Sequence, residues 1–213
     1  MRVTVIDYQA GNLTSVVKAL QHLNADVTVT DRPEVVAAAE RVILPGVGHF
    51  AATSRLDKAG LTDAIQKSIA QGTPFLGICV GMQWLLRGSM EAPLQPGLGY
   101  FDGLCERFPD GAEKVPHVGW DHILTRTDPS SRLLAGVEQN AYVYFTHSYY
   151  VPVNALRRIA PLKSVHAMAS LTCYINRFAS AVEHENVMGV QFHPEKSGVV
   201  GLQVLKNFLE LPC

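Results

Sequence analysis

Along residues 1–86 two hydrophobic periods alternate, and few architectures accommodate that alternation. Residues 1–7 are β-branched with period two and read as a strand, whereas Leu13, Val16, Val17, Leu20 and Leu23 fall on one helical face. Ala25 to Thr30 reads as a second strand, followed by a short Ala-rich helix from Pro33. Arg41 to Leu44 forms a third and runs straight into Pro45-Gly46-Val47-Gly48. Leu61, Ala64, Ile65 and Ile69 mark another helix, closed by Gly72. Thr73 to Ile78 is a fourth strand, and Gln83 to Leu86 is expected to begin a helix directly after it. Strands separated by amphipathic helices imply a parallel sheet covered on both faces.

From about residue 98 the rhythm changes. Gly99 to Phe101, Cys105 to Phe108, Val115 to Leu124, Ala141 to Val151, Leu171 to Ile175 and Phe178 to Val182 read as strands with no helix among them. Val187 to Phe192 returns as a buried-type strand, and Leu202, Leu205, Phe208 and Leu209 give a closing amphipathic helix. The expected fold is α/β, one domain over residues 1–213. It has a largely parallel central sheet flanked by helices and a smaller antiparallel, strand-rich part. Asn154 to Ala169 is the least patterned stretch, read as a loop with a short helix whose Arg157 and Arg158 form a solvated face.

Composition narrows the function classes. A length of 213 residues suits one core better than two. A net charge of −1 offers no electrostatic footprint for nucleic acid or an anionic membrane. The opening MRVTVID lacks the apolar run of a signal peptide, and no stretch approaches the roughly 20 apolar residues of a membrane span. A cytoplasmic protein is the expectation. The four cysteines, Cys79, Cys105, Cys173 and Cys213, have no CxxC and no metal spacing. They are expected to be free thiols, with no metal or cofactor, so the issue is which one reacts.

Three segments carry chemistry. Gly77-Ile78-Cys79-Val80-Gly81 sits between a strand and a helix. A nucleophile elbow needs that arrangement, because a sharp turn exposes the side chain and glycines two residues away let the chains approach. A helix N-terminus would favour the Cys79 thiolate. The alternative is a buried cysteine ending a core strand. Second, Gly189-Val-Gln-Phe-His193-Pro194-Glu195 presents His193 and Glu195 at i and i+2, so both can point the same way. Pro194 keeps His193 extended. A histidine beside a cysteine can take its proton, and a carboxylate can fix the ring's tautomer; taken alone, the segment is also an ordinary strand-to-loop junction. Third, Gly46, Val47 and Gly48 can supply backbone N–H donors to an oxyanion, with the Val80 amide as a second donor. A plain βα turn would look the same.

Together these segments resemble the triad-type glutamine amidotransferases over nearly the whole chain. The resemblance narrows to the glutaminase subunits of imidazole glycerol phosphate synthases through Asp7-Tyr8, Gly11-Asn12-Leu13, Leu44 to Gly48, Gly81-Met-Gln-Trp84, Pro116-His-Val-Gly-Trp120, Tyr144 to Tyr149 and GVQFHPEKSG from Gly189 to Gly198. It implies that Cys79 attacks the side-chain amide of glutamine, that His193 protonates the departing ammonia, and that Glu195 supports His193. Gln83 and the backbone around Gly48, Ser148 and Tyr149 would hold the substrate. Ammonia would pass to a (β/α)₈-barrel cyclase, with Asn12, Trp120, Tyr144 and Lys196 at or near that interface. Each of these four also has a structural alternative: an N-cap, two core aromatics and a solvated charge. Gln9, Ala10 and His49 depart from the family pattern, and His117 and His147 read as structural. The competing readings are a glutaminase serving anthranilate, aminodeoxychorismate or pyridoxal phosphate synthesis, a non-catalytic regulatory subunit, and a free-standing γ-glutamyl hydrolase.

Overall fold

Val3, Val5 and Ile6 are buried in the first strand, β1 (Arg2–Ile6), which pairs in parallel with β2 (Asp26–Thr30) and β3 (Val42–Gly46). The computed structural model of the protein describes residues 1–10, 13–111, 113–126, 130–156 and 167–212. Between the strands, α1 (Leu13–His22) buries Val16 and Leu20, and α2 (Pro33–Ala37) begins with a proline whose missing N–H is no loss at that position. After β3 come α3 (Ser54–Lys58) and α4 (Leu61–Ala70), which buries Leu61, Ala64, Ile65 and Ser68. Gly72 at φ +89° then turns the chain into β4 (Phe75–Cys79). Every residue of β3 and β4 is buried, as expected of strands covered on both faces.

The remaining elements are α5 (Val80–Gln83), β5 (Leu86–Ser89), β6 (Phe101–Arg107), β7 (His117–Thr125), β8 (Ala141–His147), β9 (Tyr149–Tyr150), β10 (Met168–Cys173), β11 (Arg177–His184), β12 (Val187–Val190) and α6 (Gly198–Leu209). One nine-stranded sheet runs in the order β2-β1-β3-β4-β12-β11-β10-β7-β8. Its β2 to β12 half is parallel, and from β12 onward each neighbour is antiparallel. The α/β class is borne out, and the antiparallel strands extend the same sheet beyond β12. A separate three-stranded sheet, β5-β6-β9, lies beside it. Among the described residues no helix is long and apolar enough to cross a membrane.

Four local expectations are corrected. The helix expected from Gln83 to Leu86 is instead the single turn α5, and Leu86 already belongs to β5. Its carbonyls are claimed from outside: Leu98 N–H donates to Trp84 O (2.6 Å), Phe101 N–H to Leu85 O (3.0 Å) and Gly99 N–H to Leu86 O (3.1 Å). The two strands expected within 99–108 are one strand, β6. The segment from Ala141 to Val151 splits into β8 and β9, which join different sheets. The strand expected from Leu171 starts earlier, at Met168, and ends at Cys173. In the unpatterned stretch Val153–Ala155 form a short 3-10 turn, whereas Arg157 and Arg158 lie outside the described residues.

Two close approaches hold the β4–α5 junction. A Cβ on Gly81 would lie 2.0 Å from the Leu44 carbonyl oxygen, and one on Gly77 would lie 2.4 Å from the Gly81 oxygen. Both obstacles are backbone, so neither can swing away. Gly81→Ala is therefore expected to destabilise by about 3 kcal/mol or more, while Gly72→Ala, strained at positive φ but with open space around it, loses about 1 kcal/mol. Urea denaturation of the two variants tests this, and equal losses would contradict it.

The antiparallel half has an aromatic core in which Phe108, Phe145 and Phe178 surround His117 and His147. Burial lowers His117, outweighing Asp121. Burial also pulls His147 down to about 3, against the Tyr149 carbonyl, which raises it, and with help from His117 and His193. Between about pH 3 and 6.5 this ring is neutral when folded and charged when unfolded, so the unfolded chain binds the extra proton. Stability should fall as pH drops below 6.5, with His147 contributing up to about 1.4 kcal/mol per pH unit. Denaturation at pH 7, 6 and 5 should show a shallower slope for His147→Gln; parallel slopes would contradict the assignment.

Candidate active site

Cys79 ends β4 with φ 54° and ψ −109°, a backbone conformation that side chains other than glycine rarely adopt. Such a conformation costs on the order of 1–3 kcal/mol and persists only when its surroundings enforce it. Here the enforcement is the Gly77–Gly81 contact and the fit of Gly81 against β3. The helix after Cys79 is only four residues long. The long-helix dipole expected at the thiol is therefore missing, and only the local N–H groups remain.

The strand ends line up around this turn. Gly46 of β3 is in register with Cys79, while Val190 of β12 is in register with Ile78. β12 stops there, so His193 and Glu195 are not delivered by the strand itself. Gln191 and Phe192 continue the buried chain, His193 stays extended at φ −97° and ψ 98°, and Pro194–Lys196 form a single 3-10 turn. Across that junction His193 Nδ1 and Glu195 Oε1 lie 2.9 Å apart, and both side chains are 1% exposed. The loop is clamped to β8: His193 N–H donates to Tyr144 O (2.9 Å), Ser197 Oγ donates to His193 O (2.6 Å), and Tyr144 N–H donates to Ser197 Oγ (2.9 Å).

Burial alone would lower the basicity of His193. The Cys79 sulfur and the Glu195 carboxylate together reverse this and raise it to about 10. His193 Nε2 is buried without a hydrogen-bond partner of good geometry, yet it lies close enough to the Cys79 sulfur for the two to couple electrostatically. With Nδ1–H donated to Glu195, Nε2 is the nitrogen left to exchange a proton with whatever approaches the sulfur.

A cavity of about 120 Å³ opens beside Cys79. Val47 and Gly48 line it after β3, Val80 and Gln83 from α5, and Ser148 and Tyr149 from the β8–β9 link. All six are sequence-predicted site residues. Gly48 adopts φ +97° with nothing within 4 Å of a Cβ position, so backbone conformation rather than space calls for glycine there. Gly46 does not line the cavity: it sits behind the wall, where a Cβ would meet the Tyr8 hydroxyl at 2.7 Å and Val80 Cβ at 2.8 Å.

Glu91, Thr146 and His147 also line the cavity, and no site role was assigned to them from sequence. Glu91 accepts a hydrogen bond from Phe50 N–H at 2.7 Å. Gln191 was missed as well. Its Nε2 lies 3.6 Å from the Cys79 sulfur, and its Oε1 accepts from Gln83 Nε2 at 3.0 Å. Gln83 Nε2 also donates to Tyr149 O at 2.8 Å. A larger cavity of about 710 Å³, lined in part by Ile69, Tyr100 and Asn186, lies at the opposite ends of β4 and β12, away from Cys79.

Trp120, Tyr144 and Lys196 form one surface cluster. Trp120 is 55% exposed, so it is not a core aromatic. Its ring meets Tyr144 edge-on at 6.1 Å, and Lys196 Nζ stands 5.8 Å from the Tyr144 centroid. Asn12 lies outside the described residues. His49 has a structural task, since its Nδ1 accepts from Ala51 N–H at 3.1 Å and caps a short 3-10 helix. Gln9 adopts φ 60° at the first loop, where its carbonyl accepts from Arg55. Among the described residues no group of His, Cys, Asp or Glu side chains is placed to hold a metal.

Residues 4–211 match the family model for glutamine amidotransferase class-I. The chain is 41% identical to the imidazole glycerol phosphate synthase subunit HisH of Geobacter sulfurreducens, across 99% of this chain and 99% of that one. It is 43% identical to the HisH of Nostoc punctiforme, across 97% and 94%. A crystal structure of a glutamine amidotransferase shares the fold with TM-score 0.71 at 18% identity, across 97% of both chains. The glutaminase domain of Trypanosoma brucei CTPS with bound acivicin does so with TM-score 0.68 at 13% identity, across 100% and 95%. At those identities the two structures speak for the fold alone. The family match across residues 4–211 and the near full-length identity to these relatives make the chain a member of the class-I glutamine amidotransferases.

Proposed function

We propose that this chain, as one domain over residues 1–213, is the glutamine-hydrolysing subunit of an imidazole glycerol phosphate synthase, working in the cytoplasm in histidine biosynthesis. The observation that carries the chemistry is the meeting of an elbow cysteine with a histidine that a buried carboxylate holds at 2.9 Å. Near full-length identity to proteins named for that synthase supports the choice among amidotransferases.

Cys79 Sγ attacks the side-chain amide carbon of glutamine, and the carbonyl oxygen gathers negative charge. Val80 and Val47-Gly48 line the cavity together with Cys79, and their backbone N–H groups are the donors proposed to receive that charge. His193 gives its Nε2 proton to the departing nitrogen, so ammonia leaves and a γ-glutamyl thioester remains. Water, deprotonated by His193, then releases glutamate and restores the thiol. Glu195 keeps Nδ1–H in place throughout. At the amino-acid end of the substrate, Glu91 offers a carboxylate for the α-ammonium group, and Gln83, Ser148 and Tyr149 complete the wall. None of these steps calls for a cofactor.

The ammonia passes to a (β/α)₈-barrel cyclase. Exposed Trp120 and Lys196 with half-buried Tyr144 are the surface proposed to meet it; Asn12, proposed for the same interface, lies outside the described residues. Aromatic side chains on β7 and β8 beside a lysine of the Pro194–Lys196 turn suit a protein interface. Lys196 follows Glu195 directly, so docking there bears on the catalytic loop.

Assay of the chain with its cyclase and the cyclase's nucleotide substrate tests the proposal. Cys79→Ala is expected to lower glutamine-dependent synthesis on the order of 10⁴-fold while synthesis from ammonium salts persists. Glu195→Gln should lose less, because nucleophile and base both remain. Glutamine turnover by Cys79→Ala within tenfold of wild type would end the assignment. A wild-type chain that is fast alone and indifferent to the cyclase would favour an autonomous hydrolase.

A further inference from the structure

Two buried cysteines flank Gln83, and their partners have opposite polarity. The Cys105 sulfur lies 3.7 Å from the Gln83 backbone oxygen, an acceptor, so it is held as the S–H form, and burial pushes its pKa up. The Cys79 sulfur instead faces the side-chain amide of Gln191, whose Nε2 lies 3.6 Å away. The orientation of that amide is determined by its neighbours. Gln83 spends its NH₂ on Tyr149 O (2.8 Å) and on Gln191 Oε1 (3.0 Å). Gln191 Oε1 must therefore be the acceptor, which leaves its own N–H groups toward the sulfur. The backbone of Gln191 is pinned as well, with its N–H donating to Ser180 O at 2.9 Å, and the residue is fully buried.

An amide N–H is a good partner for a thiolate and a poor one for a thiol. The Cys79 sulfur is buried, so each donor aimed at it counts for more than it would in water. We propose that Gln191 stabilises the thiolate form of Cys79 and aims its sulfur, as the end of a one-way donor chain that starts in the substrate wall at Gln83. The proposal deepens the glutaminase reading and rests on Cys79 being its nucleophile. His193 supplies the counter-charge and the proton transfer, while Gln191 supplies a neutral donor that holds the sulfur in place before it attacks. Gln191 is not among the residues lining the cavity, so it acts on the sulfur and not on glutamine.

The test is the pH dependence of Cys79 alkylation by iodoacetamide in the full chain, followed by peptide mass spectrometry so that Cys105 and Cys173 are read separately. Gln191→Met keeps the length and removes the donor. Gln191→Glu keeps the shape and the acceptor toward Gln83 while placing a like charge at the sulfur. The midpoint is expected to rise by about one pH unit in the methionine variant, equivalent to about tenfold less thiolate below the midpoint, and further in the glutamate variant. Thermal unfolding identifies any variant that has not folded, and the nearly isosteric glutamate variant then decides. Midpoints within about 0.3 units of wild type in a folded variant would overturn the role of Gln191. Failure of the underlying reading looks different: the wild-type chain itself, with cyclase present, would not hydrolyse glutamine.

Discussion

Gly81 sits so close to β3 that a single methyl group would collide with the Leu44 carbonyl oxygen at 2.0 Å. From that contact the rest of the site follows. With Gly81 against β3 and Gly77 against Gly81, the chain leaves β4 through a turn too tight for a relaxed backbone, and Cys79 is held at φ 54°. The strain lifts the sulfur off the strand axis and into the cavity between the Val47-Gly48 segment and the Ser148-Tyr149 link. A parallel sheet provides the setting, because β3, β4 and β12 all run the same way and end at the same level.

The electrostatics of the site depend on that shared level. Past the end of β12 the chain places Gln191 beside the sulfur and His193 two residues further on, with Glu195 folded back onto the ring. Burial would leave an isolated histidine neutral, as it does for His147, which sits among aromatic rings and falls to about 3. His193 is at least as deeply placed but has an acidic partner on each side, and its value rises to about 10. The two histidines differ in neighbours more than in depth, and only one of them is equipped to carry a proton at neutral pH.

Much of this was legible in the residues. The alternation of strand and helix periods placed β1 to β4 with α1, α2 and α4 but not α3, and the glycine spacing around Cys79 together with His193-Pro194-Glu195 pointed to the groups proposed to react. What escaped depended on distant contacts. Trp84-Leu85-Leu86 is an apolar run equally suited to helix or strand, and the decision came from Leu98, Gly99 and Phe101 capturing its carbonyls. Glu91 and Gln191 carry no local signal, because each acquires its position from partners about 41 and 112 residues away in the chain. Periodicity marked the later strands but could not say that they continue the parallel sheet. The exposure of Trp120 was likewise a matter of which face of β7 turned outward.

Under the proposed function, strain and strand alignment, rather than accessibility, make Cys79 the reactive thiol. Cys173 is exposed, while Cys79 is 3% exposed and Cys105 is fully buried. Among the described cysteines, accessibility alone would therefore direct an electrophile to Cys173. The direct measurement is mass-spectrometric mapping after brief exposure to a glutamine-shaped electrophile, with and without excess glutamine. The label is expected on Cys79, with glutamine protecting it and Cys173 largely unmodified. Label found mainly on Cys173, or on Cys79 without protection by glutamine, would contradict the site described here.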